Sequence, residues 1–395
     1  MLNEKRRNDL IELCRSMISI NSVTGSEKEI AQFICDNMKK VGYDEAWIDA
    51  QGNVIGKICG SGNGKKVLLD GHIDTVDVSD PGKWQYAPFD GTVSDGKIYG
   101  RGAADMKGAL SAMIMAAGWL AGDKRPLGDV YVTGTAMEEV AEGCALAYIL
   151  DKVNPDIVVI GEASRLNLNI GQRGRGEIVV QTKGKSAHSS NPEVGINSVY
   201  KMMKLLADIR SIPVSHHDML GDGIMELTDI ISSPYPGASV VPDLCRTTFD
   251  RRLLIGDNEE SILEQIKQKI SKLKTEDNEF EAEAFIESLD LEFYTGYKVT
   301  HTKFAPAWCL DKDKNFNIID TALGALQNAG LNPSVSAYKF CTNGSASAGI
   351  YNIPTIGFGP CAESQAHVVD EHIEIAQLVD AAKGYYYLID ALSRM

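Results

Sequence analysis

The spacing of apolar and polar residues predicts helices and short strands that alternate along the first part of the chain. Apolar residues recur at helical spacing over 5–20 and 26–41, and Ser26 followed by Glu29 resembles a capping box at the start of the second helix. The runs 107–121 and 144–153 also have helical character. Short apolar runs bounded by Gly and Asn predict strands at 53–59, 66–74, 129–136 and 156–163. This alternation predicts an α/β sandwich with a largely parallel sheet.

A glycine-rich segment, GSGNGK at 60–65, separates the first two of these strands. Together with its neighbours it reads CGSGNGKK, which lacks the Ser or Thr that follows Lys in a phosphate-binding loop. It also lies between two strands rather than between a strand and a helix. We therefore predict a hairpin turn here.

The pattern changes from about residue 176 onward. Strands and helices now follow in the order β-α-β-β-α-β, which is typical of a ferredoxin-like α+β unit. A later helix at 313–329, a strand at 353–359 and a closing helix at 372–393 would complete the first sheet. The sequence thus predicts a discontinuous main domain, 1–175 and 290–395, with an inserted domain at 176–289. The predicted elements of the insertion are strands 177–184, 223–231, 245–254 and 279–285 and helices 193–210 and 258–273.

Charge and composition argue against nucleic acid and membranes as binding partners. The formal net charge of -15 would repel a phosphate backbone, so nucleic acid is not an expected partner. The amino-terminal segment mixes charged with apolar residues, and no stretch reaches the roughly 18 apolar residues of a membrane helix. Eight scattered cysteines contain no Cys-x-x-Cys pair and are expected to be buried thiols. We expect a cytoplasmic protein without a membrane partner.

Histidine and carboxylate side chains follow the predicted strands at their carboxyl ends. His72 and Asp74 come at the end of LLDGHID, and Asp105 lies in the small-residue loop GRGAADMKG. Taken singly, each of these is more typical of a solvated turn. The carboxyl ends of strands in an open α/β sheet are, however, where active sites are built. Further candidates after later strands are the adjacent pair Glu138 and Glu139, then Glu162, and His367 near the carboxyl end of the chain.

This set of donors predicts a centre with two metal ions. Histidine and carboxylate without cysteine favour zinc, with cobalt or manganese as other candidates. Five ligands are too many for one open tetrahedral zinc, whereas two ions that share Asp105 would use them all. Glu138 is then left over and becomes the candidate general base, as amide hydrolysis would require. The predicted pairs are His72 with Glu162 on one ion and Glu139 with His367 on the other.

Five segments resemble, in order and spacing, the co-catalytic zinc metallopeptidase family that includes acetylornithine deacetylase, succinyl-diaminopimelate desuccinylase, aminoacylase and bacterial glutamate carboxypeptidases. They are GHIDTVD, GRGAADMKG, MEEVAEG, GEAS and the late AH. The resemblance covers essentially the whole chain. It implies a zinc-peptidase-like α/β/α sandwich with an inserted ferredoxin-like lid and dimerisation domain.

The resemblance also implies roles for individual residues. The five ligands keep the positions given above, with Asp105 as the bridge and Glu138 as the base. Asp74 would orient His72 through the second ring nitrogen. The peptide bond between Asp105 and Met106 would be cis.

In the inserted domain the resemblance points to His188 and to an arginine. His188 in TKGKSAHSSNPEVG matches the histidine that stabilises the oxyanion, either within a subunit or across a homodimer formed through this domain. Arg252 matches an arginine that binds the substrate carboxylate, with the adjacent Arg251 as the alternative.

Two segments depart from the family pattern. Ser239 stands where relatives often have Asn, and CTNGSASAG replaces the Gly-Gly-Thr-Asp-Ala-Arg of many deacylases. Asn343, Gly344 and Ser345 in that second segment are predicted pocket residues.

The predicted function is hydrolysis of an amide bond in an N-acyl amino acid or short peptide, a small molecule with a free carboxylate. Two alternatives stay open. One is an amidohydrolase that acts on ureido or carbamoyl groups at the same site. The other is a non-catalytic binder on the same fold, whose sequence should have lost the base or a ligand.

Overall fold

The computed structural model describes residues 2–395, which divide into two compact units. The first consists of the segment that ends at Gln172, Asp290–Val299 and Trp308–Met395, and the second of Arg173–Leu289 and Thr300–Ala307. The predicted boundaries place Thr300–Ala307 in the main domain. It groups with the second unit because Phe304–Ala305 pairs with the strand Gly174–Lys183.

Helices of eight residues or more are found throughout the described chain. They are Glu4–Ile18 (α1), Lys28–Lys40 (α2), Lys107–Asp123 (α3), Cys144–Val153 (α4), Ser198–Ile209 (α5), Glu259–Glu276 (α6), Phe316–Asn328 (α7) and Ile375–Ser393 (α8). None of the helices within residues 2–395 is long and apolar enough to cross a membrane.

The strands are numbered in chain order. They are Glu45–Ile48 (β1), Val54–Ile58 (β2), Val67–His72 (β3), Thr92–Ser94 (β4), Lys97–Tyr99 (β5), Val130–Thr135 (β6), Ile157–Ile160 (β7), Leu168–Gln172 (β8), Gly174–Lys183 (β9), His216–His217 (β10), Gly221–Asp222 (β11), Ile224–Ser233 (β12), Leu244–Leu253 (β13), Glu281–Ile286 (β14), Ser288–Glu292 (β15), Lys298–Thr302 (β16), Phe304–Ala305 (β17), Trp308–Cys309 (β18), Val335–Tyr338 (β19), Thr355–Gly357 (β20) and His372–Glu374 (β21).

The first unit is built on a mixed sheet with the order β1-β2-β6-β3-β7-β20-β8-β18, in which β19 also pairs with β8. Neighbours β6, β3, β7 and β20 run parallel. The pairs β1–β2, β2–β6, β20–β8 and β18–β8 are antiparallel. The α/β prediction is confirmed, but the expectation of a largely parallel sheet holds only for its centre, since these four pairs outside it are antiparallel.

Helices cover both faces of this sheet. Helix α3 is buried along nearly its whole length, from Lys107 to Leu120, as expected for a helix that is apolar on all sides. It packs against α1, α8 and β3. On the other face, Leu146 and Ile149 of α4 pack with Leu68 and Val158. The first unit is therefore an α/β/α sandwich whose central strands are buried on both sides.

The predicted hairpin at 60–65 is wrong. Strand β6 lies between β2 and β3, so those two strands do not pair. The glycines of this segment serve close backbone approach instead, since a Cβ at Gly64 would lie 2.0 Å from the Ser393 carbonyl oxygen and 2.4 Å from the Gly128 nitrogen. The glycine-rich sequence favours a turn locally, but β6 pairs with both β2 and β3 and so prevents a hairpin between those two strands.

The second unit contains a five-stranded antiparallel sheet, in which β12, β13, β9 and β14 follow in that order and the short strand β17 also pairs with β9. Its strands and helices follow in the predicted sequence β9, α5, β12, β13, α6 and β14. Helices α5 and α6 cover one face, where Met202, Leu205, Ile266 and Phe249 belong to one buried cluster. Along β13, buried positions alternate with partly buried ones, as expected for a sheet that is covered on one face.

Candidate metal centre

The four neighbouring parallel strands β6, β3, β7 and β20 end at the same edge of the main sheet. The predicted metal ligands and the predicted base lie at this edge. His72 is the last residue of β3, and Glu162 follows β7 by two residues. Glu138 and Glu139 lie in a short 3-10 helix directly after β6, while His367 belongs to the loop after β20. The carboxyl ends of these strands thus bring together residues far apart in sequence.

His72 is fixed by both of its ring nitrogens. Its side chain is 1% exposed. Nδ1 lies 2.9 Å from the carbonyl oxygen of Asp74, and Nε2 lies 2.8 Å from Asp105 Oδ1 and 3.6 Å from Glu162 Oε1. In the neutral ring with a proton on Nδ1, donated to that carbonyl, the Nε2 lone pair faces the two carboxylates. This is the tautomer that a metal ligand requires.

Asp105 lies between the two histidines. Its Oδ1 contacts His72, and its Oδ2 lies 3.2 Å from His367 Nε2. His367 Nε2 also lies 3.1 Å from Glu139 Oε2. One oxygen of Asp105 therefore faces each histidine, which is the arrangement that a bridging carboxylate needs. The peptide bond between Asp105 and Met106 is cis, as predicted.

The possible ligand atoms form two overlapping groups. Those of His72, Asp105 and Glu139 all lie within 4.8 Å of one another, and so do those of His72, Glu138 and Glu162. Glu138 is 6% exposed and is as close to this cluster as the predicted ligands are. The distances from Glu138 to its neighbours therefore fit both a general base and a metal ligand.

Asp74 positions the adjacent glutamates with its side chain and contacts His72 with its main chain. Its carboxylate accepts hydrogen bonds from the backbone N–H groups of Glu138 and Glu139, with N–O distances of 3.1 and 3.2 Å, and from Thr24 Oγ1 at 2.9 Å. Its Oδ1 is 3.6 Å from His72 Nδ1, which makes the backbone carbonyl the closer partner of the ring. The predicted contact with His72 exists, but it is made by the main chain.

Two buried carboxylates that the sequence reasoning missed hold the loops of the site. Glu371 Oε1 accepts hydrogen bonds from the backbone N–H groups of Ala104, at 2.8 Å, and Asp105, at 3.1 Å, while its Oε2 pairs with Arg101 at 2.6 Å. Glu371 and Arg101 are both buried. Their positions, four residues after His367 and four before Asp105, are the signal that could have identified them.

Glu27 is the second missed residue. Its Oε1 accepts hydrogen bonds from the N–H groups of Gly25 and Met137, the residue before Glu138. Met137 has a φ of 60°, in the left-handed region that non-glycine residues rarely adopt. The predicted capping box of Ser26 and Glu29 is wrong: Glu27 is the N-cap of α2 and makes no side-chain cap, because its carboxylate is used for this contact.

Burial and neighbouring charges shift the pKa values of Glu138 and Glu162 upward, whereas the pKa of Asp105 is lowered. Burial, followed by neighbouring carboxylates, raises the pKa of Glu138 well above its usual range. Burial, then the charge of Asp105, raises the pKa of Glu162 to about 8. Burial acts in the same direction on Asp105, but hydrogen bonds with His367 and His72 outweigh it and lower its pKa. Hydrogen bonds to Asp105 and Glu139 raise the pKa of His367 to about 10.

The donor set fits two divalent cations. Four carboxylates, those of Asp105, Glu138, Glu139 and Glu162, share one edge of the sheet with two imidazoles. Such crowding of like charges is unfavourable in a buried place unless cations compensate it. Nitrogen and carboxylate donors without a thiolate suit zinc and also cobalt or manganese.

His188 and the two arginines lie in the second unit. His188 is exposed, and its Nδ1 accepts a hydrogen bond from the Ser190 N–H, so a neutral ring carries its proton on Nε2. Arg252 pairs with Asp250 at 2.8 Å, whereas Arg251 points to the core face of β13 and is 2% exposed. Between the two alternatives, Arg252 is thus the one with access to solvent.

The three predicted pocket residues are buried. Asn343 donates to Asp70 Oδ2 and Thr135 Oγ1 and accepts from the Gly143 N–H, so its amide is fully engaged. A Cβ at Gly344 would lie 2.7 Å from Trp308 Nε1, and Ser345 is 1% exposed. In this structure Asn343 joins β3, β6 and the start of α4.

Comparison with known proteins gives a consistent picture. Residues 68–391 match the model described as peptidase family M20/M25/M40. The chain is 33% identical over 390 residues to the uncharacterized protein YgeY of Escherichia coli K12, covering 95% of this chain and 93% of that protein. It is 30% identical over 322 residues to acetylornithine deacetylase of Buchnera aphidicola, covering 80% and 77% of the two chains.

A solved structure shares the fold. The YXEP protein of Bacillus subtilis, described as a dinuclear metal binding peptidase from the M20 family, superposes with a TM-score of 0.73 over 99% of both chains. The sequences are 13% identical, so this likeness speaks for the fold alone.

Proposed function

Because the chain belongs to peptidase family M20/M25/M40, we propose that it hydrolyses the amide bond of an N-acyl amino acid or a short peptide. Members of this family are metal-dependent peptidases and deacylases that act on amide C–N bonds, and the chain is a hydrolase of this kind. The observation that carries the proposal is the position of Asp105, whose two carboxylate oxygens each face one histidine.

His72 and Glu162 would hold one divalent ion, and Glu139 and His367 a second, with Asp105 shared between them. The name of the Bacillus subtilis relative, a dinuclear metal binding peptidase, supports two ions. Zinc is the ion that this donor set favours, and cobalt and manganese suit it as well. Two such ions would polarise the scissile carbonyl and lower the pKa of the attacking water towards about 7.

Glu138 acts as the general base in this proposal. It takes a proton from the attacking water and delivers a proton to the leaving amine. Its buried carboxyl lies within 4.8 Å of the ligand atoms of His72 and Glu162, which places it beside the proposed site of the attacking water. Asp74 fixes the base through its hydrogen bond to the Glu138 backbone N–H. His188, with its proton on Nε2, supplies a donor for the developing oxyanion.

The substrate is a small molecule with a free carboxylate, and Arg252 is a candidate to bind it. We also propose a homodimer formed through the second unit. Strand β12 lies at the end of its sheet and exposes Ile230 and Ile231, at 50% and 46%, beside Tyr235 at 78%. Exposed apolar residues on an edge strand are typical of a surface that another chain covers. Eight cysteines without disulfides fit a reducing, cytoplasmic location.

Glu138→Ala tests the assignment of the base. We expect the variant to keep its metal content and to lose at least about 100-fold in turnover, the lower end for loss of a general base. Glu12→Ala on the exposed face of α1 is the matched control and should leave turnover unchanged. Metal content is measured by elemental analysis and turnover with N-acetyl, N-succinyl and N-carbamoyl amino acids and dipeptides.

The same substrate panel separates the alternatives. Release of carbon dioxide and ammonia from the N-carbamoyl compounds would identify a ureido amidohydrolase. Unchanged turnover in Glu138→Ala would contradict its role as the base. A wild-type protein that is loaded with metal and hydrolyses no member of the panel would contradict the proposed substrate class.

A further inference from the structure

A cavity lies in the first unit, among residues that follow the proposed metal ligand Glu162 in the chain. Its volume is about 620 Å³, within the usual range for a small-molecule site. Its wall begins at Ala163, the residue after Glu162, and continues with β19, the two residues that follow it and the 3-10 helix Glu363–Gln365. The cavity is therefore next in sequence to a proposed metal ligand.

Two cationic side chains line this cavity without a partner. Within the described residues, neither Arg165 nor Lys339 makes an ion pair or a side-chain hydrogen bond, and both are exposed. One carboxylate, Glu363, also lines the wall, which leaves a formal charge of +1 from these three groups. In a chain with a net charge of -15, unpaired cations in a cavity form a local site for an anion.

The backbone that carries Arg165 is held in an unfavourable conformation. Arg165 and Leu166 both have left-handed φ values, 55° and 62°. Their N–H groups donate to the carbonyl oxygens of Cys361, at 2.7 Å, and Gly359, at 2.8 Å. Non-glycine residues in this region persist only where the surroundings enforce them, and they cluster at ligand sites. The loop is thus built to present Arg165 at a fixed place in the wall.

A hydrogen bond joins the cavity wall to the metal centre. Tyr338, which lines the cavity, donates through its hydroxyl to the backbone carbonyl of Glu162, with an O–O distance of 3.0 Å. A ligand in the cavity would therefore lie against a wall whose position is tied to that of Glu162.

We propose that this cavity binds a carboxylate of the substrate, with Arg165 and Lys339 as the residues that determine this specificity. The inference rests on the proposed function and deepens it, because it names residues of the catalytic unit that would bind a substrate carboxylate in addition to Arg252. The ligand class is an N-acyl or N-carbamoyl amino acid or a short peptide with a free carboxylate. Both cations would donate charge-assisted hydrogen bonds to it.

The test compares a carboxylate substrate with its uncharged amide in the metal-loaded enzyme. For the double variant Arg165→Gln/Lys339→Gln we expect kcat/KM for the carboxylate to fall about 100-fold or more, mainly through a higher KM, since two charge-assisted bonds are lost. The amide substrate should be hydrolysed as by the wild type. Arg7→Gln/Lys28→Gln, which removes two exposed charges on α1 and α2, is the control for the change in net charge.

Binding provides a readout that is independent of turnover. Calorimetric titration of metal-loaded Glu138→Ala with the same two compounds should show the same preference for the carboxylate, and adding the two Gln substitutions should abolish it. If the wild type hydrolyses the panel but the double variant keeps its kcat/KM for the carboxylate, or loses equally on the amide, the cavity proposal is overturned and the hydrolase stands. If binding depends on Arg165 and Lys339 but nothing is hydrolysed, the cavity stands and the proposed function fails. No detectable binding of either compound would overturn both.

Discussion

At the scale of single residues, buried carboxylates have two different tasks at this site. Asp105 faces both histidines with its side chain. Asp74 and Glu371 instead accept backbone N–H groups of the loops that carry Glu138, Glu139 and Asp105. A carboxylate that binds backbone N–H groups fixes where a neighbouring side chain begins, and the cost of its own burial is offset by the hydrogen bonds it accepts. The placement of the candidate metal ligands thus depends on residues that need not touch a metal.

Glu27 gives a prediction about pH and stability. Burial, then the charge of Asp74, raises its pKa from an ordinary 4.5 to about 7. The folded state therefore binds this proton more tightly than the unfolded chain. The stability that this provides is fully present below about pH 4.5 and is lost as the pH rises through 7. Glu27→Gln keeps an acceptor for the Met137 N–H but cannot ionise, so it should be more stable than the wild type by roughly 3 kcal/mol at pH 8 and similar to it near pH 4.5.

Urea unfolding of both proteins at pH 5 and pH 8, with equal metal content, measures this difference. Glu29→Gln on the exposed side of α2 serves as the control and should show little change at either pH. An equal effect of Glu27→Gln at the two pH values would contradict the raised pKa.

At the scale of elements, the position of β6 between β2 and β3 governs how the first unit is threaded. The glycine-rich segment after β2 runs against the residues before β6, and a Cβ at Gly128 would lie 2.0 Å from the Lys65 carbonyl oxygen. The neighbouring atoms are backbone atoms, which cannot move aside as a flexible side chain would. Glycine is therefore required at this crossing.

Gly128→Ala should destabilise the protein by about 3 kcal/mol, because overpacking here must displace backbone. Gly122→Ala in α3 is the matched control, since nothing lies within 4 Å of its added Cβ. A helical glycine replaced by alanine should stabilise the protein by roughly 0.5–1 kcal/mol. Thermal or urea unfolding of the two variants measures the change in the free energy of unfolding, which should have opposite signs for the two. Equal changes in the two variants would contradict the close approach of the two segments.

At the scale of the whole molecule, the proposed homodimer makes a prediction about mass. Light scattering of the wild type should give about twice the mass of one chain. Ile230→Lys/Ile231→Lys on β12 should give the mass of one chain, because two charges would have to be buried in the interface. Val93→Lys in the first unit, where Val93 is 44% exposed, is the control and should leave the mass unchanged. A monomeric wild type, or a double variant of unchanged mass, would contradict the dimer.

The family comparison and the charge pattern also belong to this scale. The match to residues 68–391 begins and ends in the first unit and extends across the range of the second. The net charge of -15 makes the molecule negative overall. An unpaired cation in a cavity therefore creates a locally positive region, which favours an anionic ligand.

The sequence by itself determined the α/β class, the order of elements in the second unit and the set of histidines and carboxylates after the strands. These follow from local periodicity and from residue chemistry, which are properties of short segments. The cis peptide bond after Asp105 could also be predicted, from the resemblance of GRGAADMKG to a known motif.

Only the tertiary structure decided the insertion of β6 between β2 and β3, the engagement of Asn343 in the interior, and the roles of Glu27 and Glu371. Each of these depends on contacts between segments far apart in the chain, such as the 110 positions that separate Glu27 from Met137. Hydrophobic spacing within a segment carries no information about which distant backbone N–H group a buried carboxylate will meet, and that is the physical reason why these features were missed.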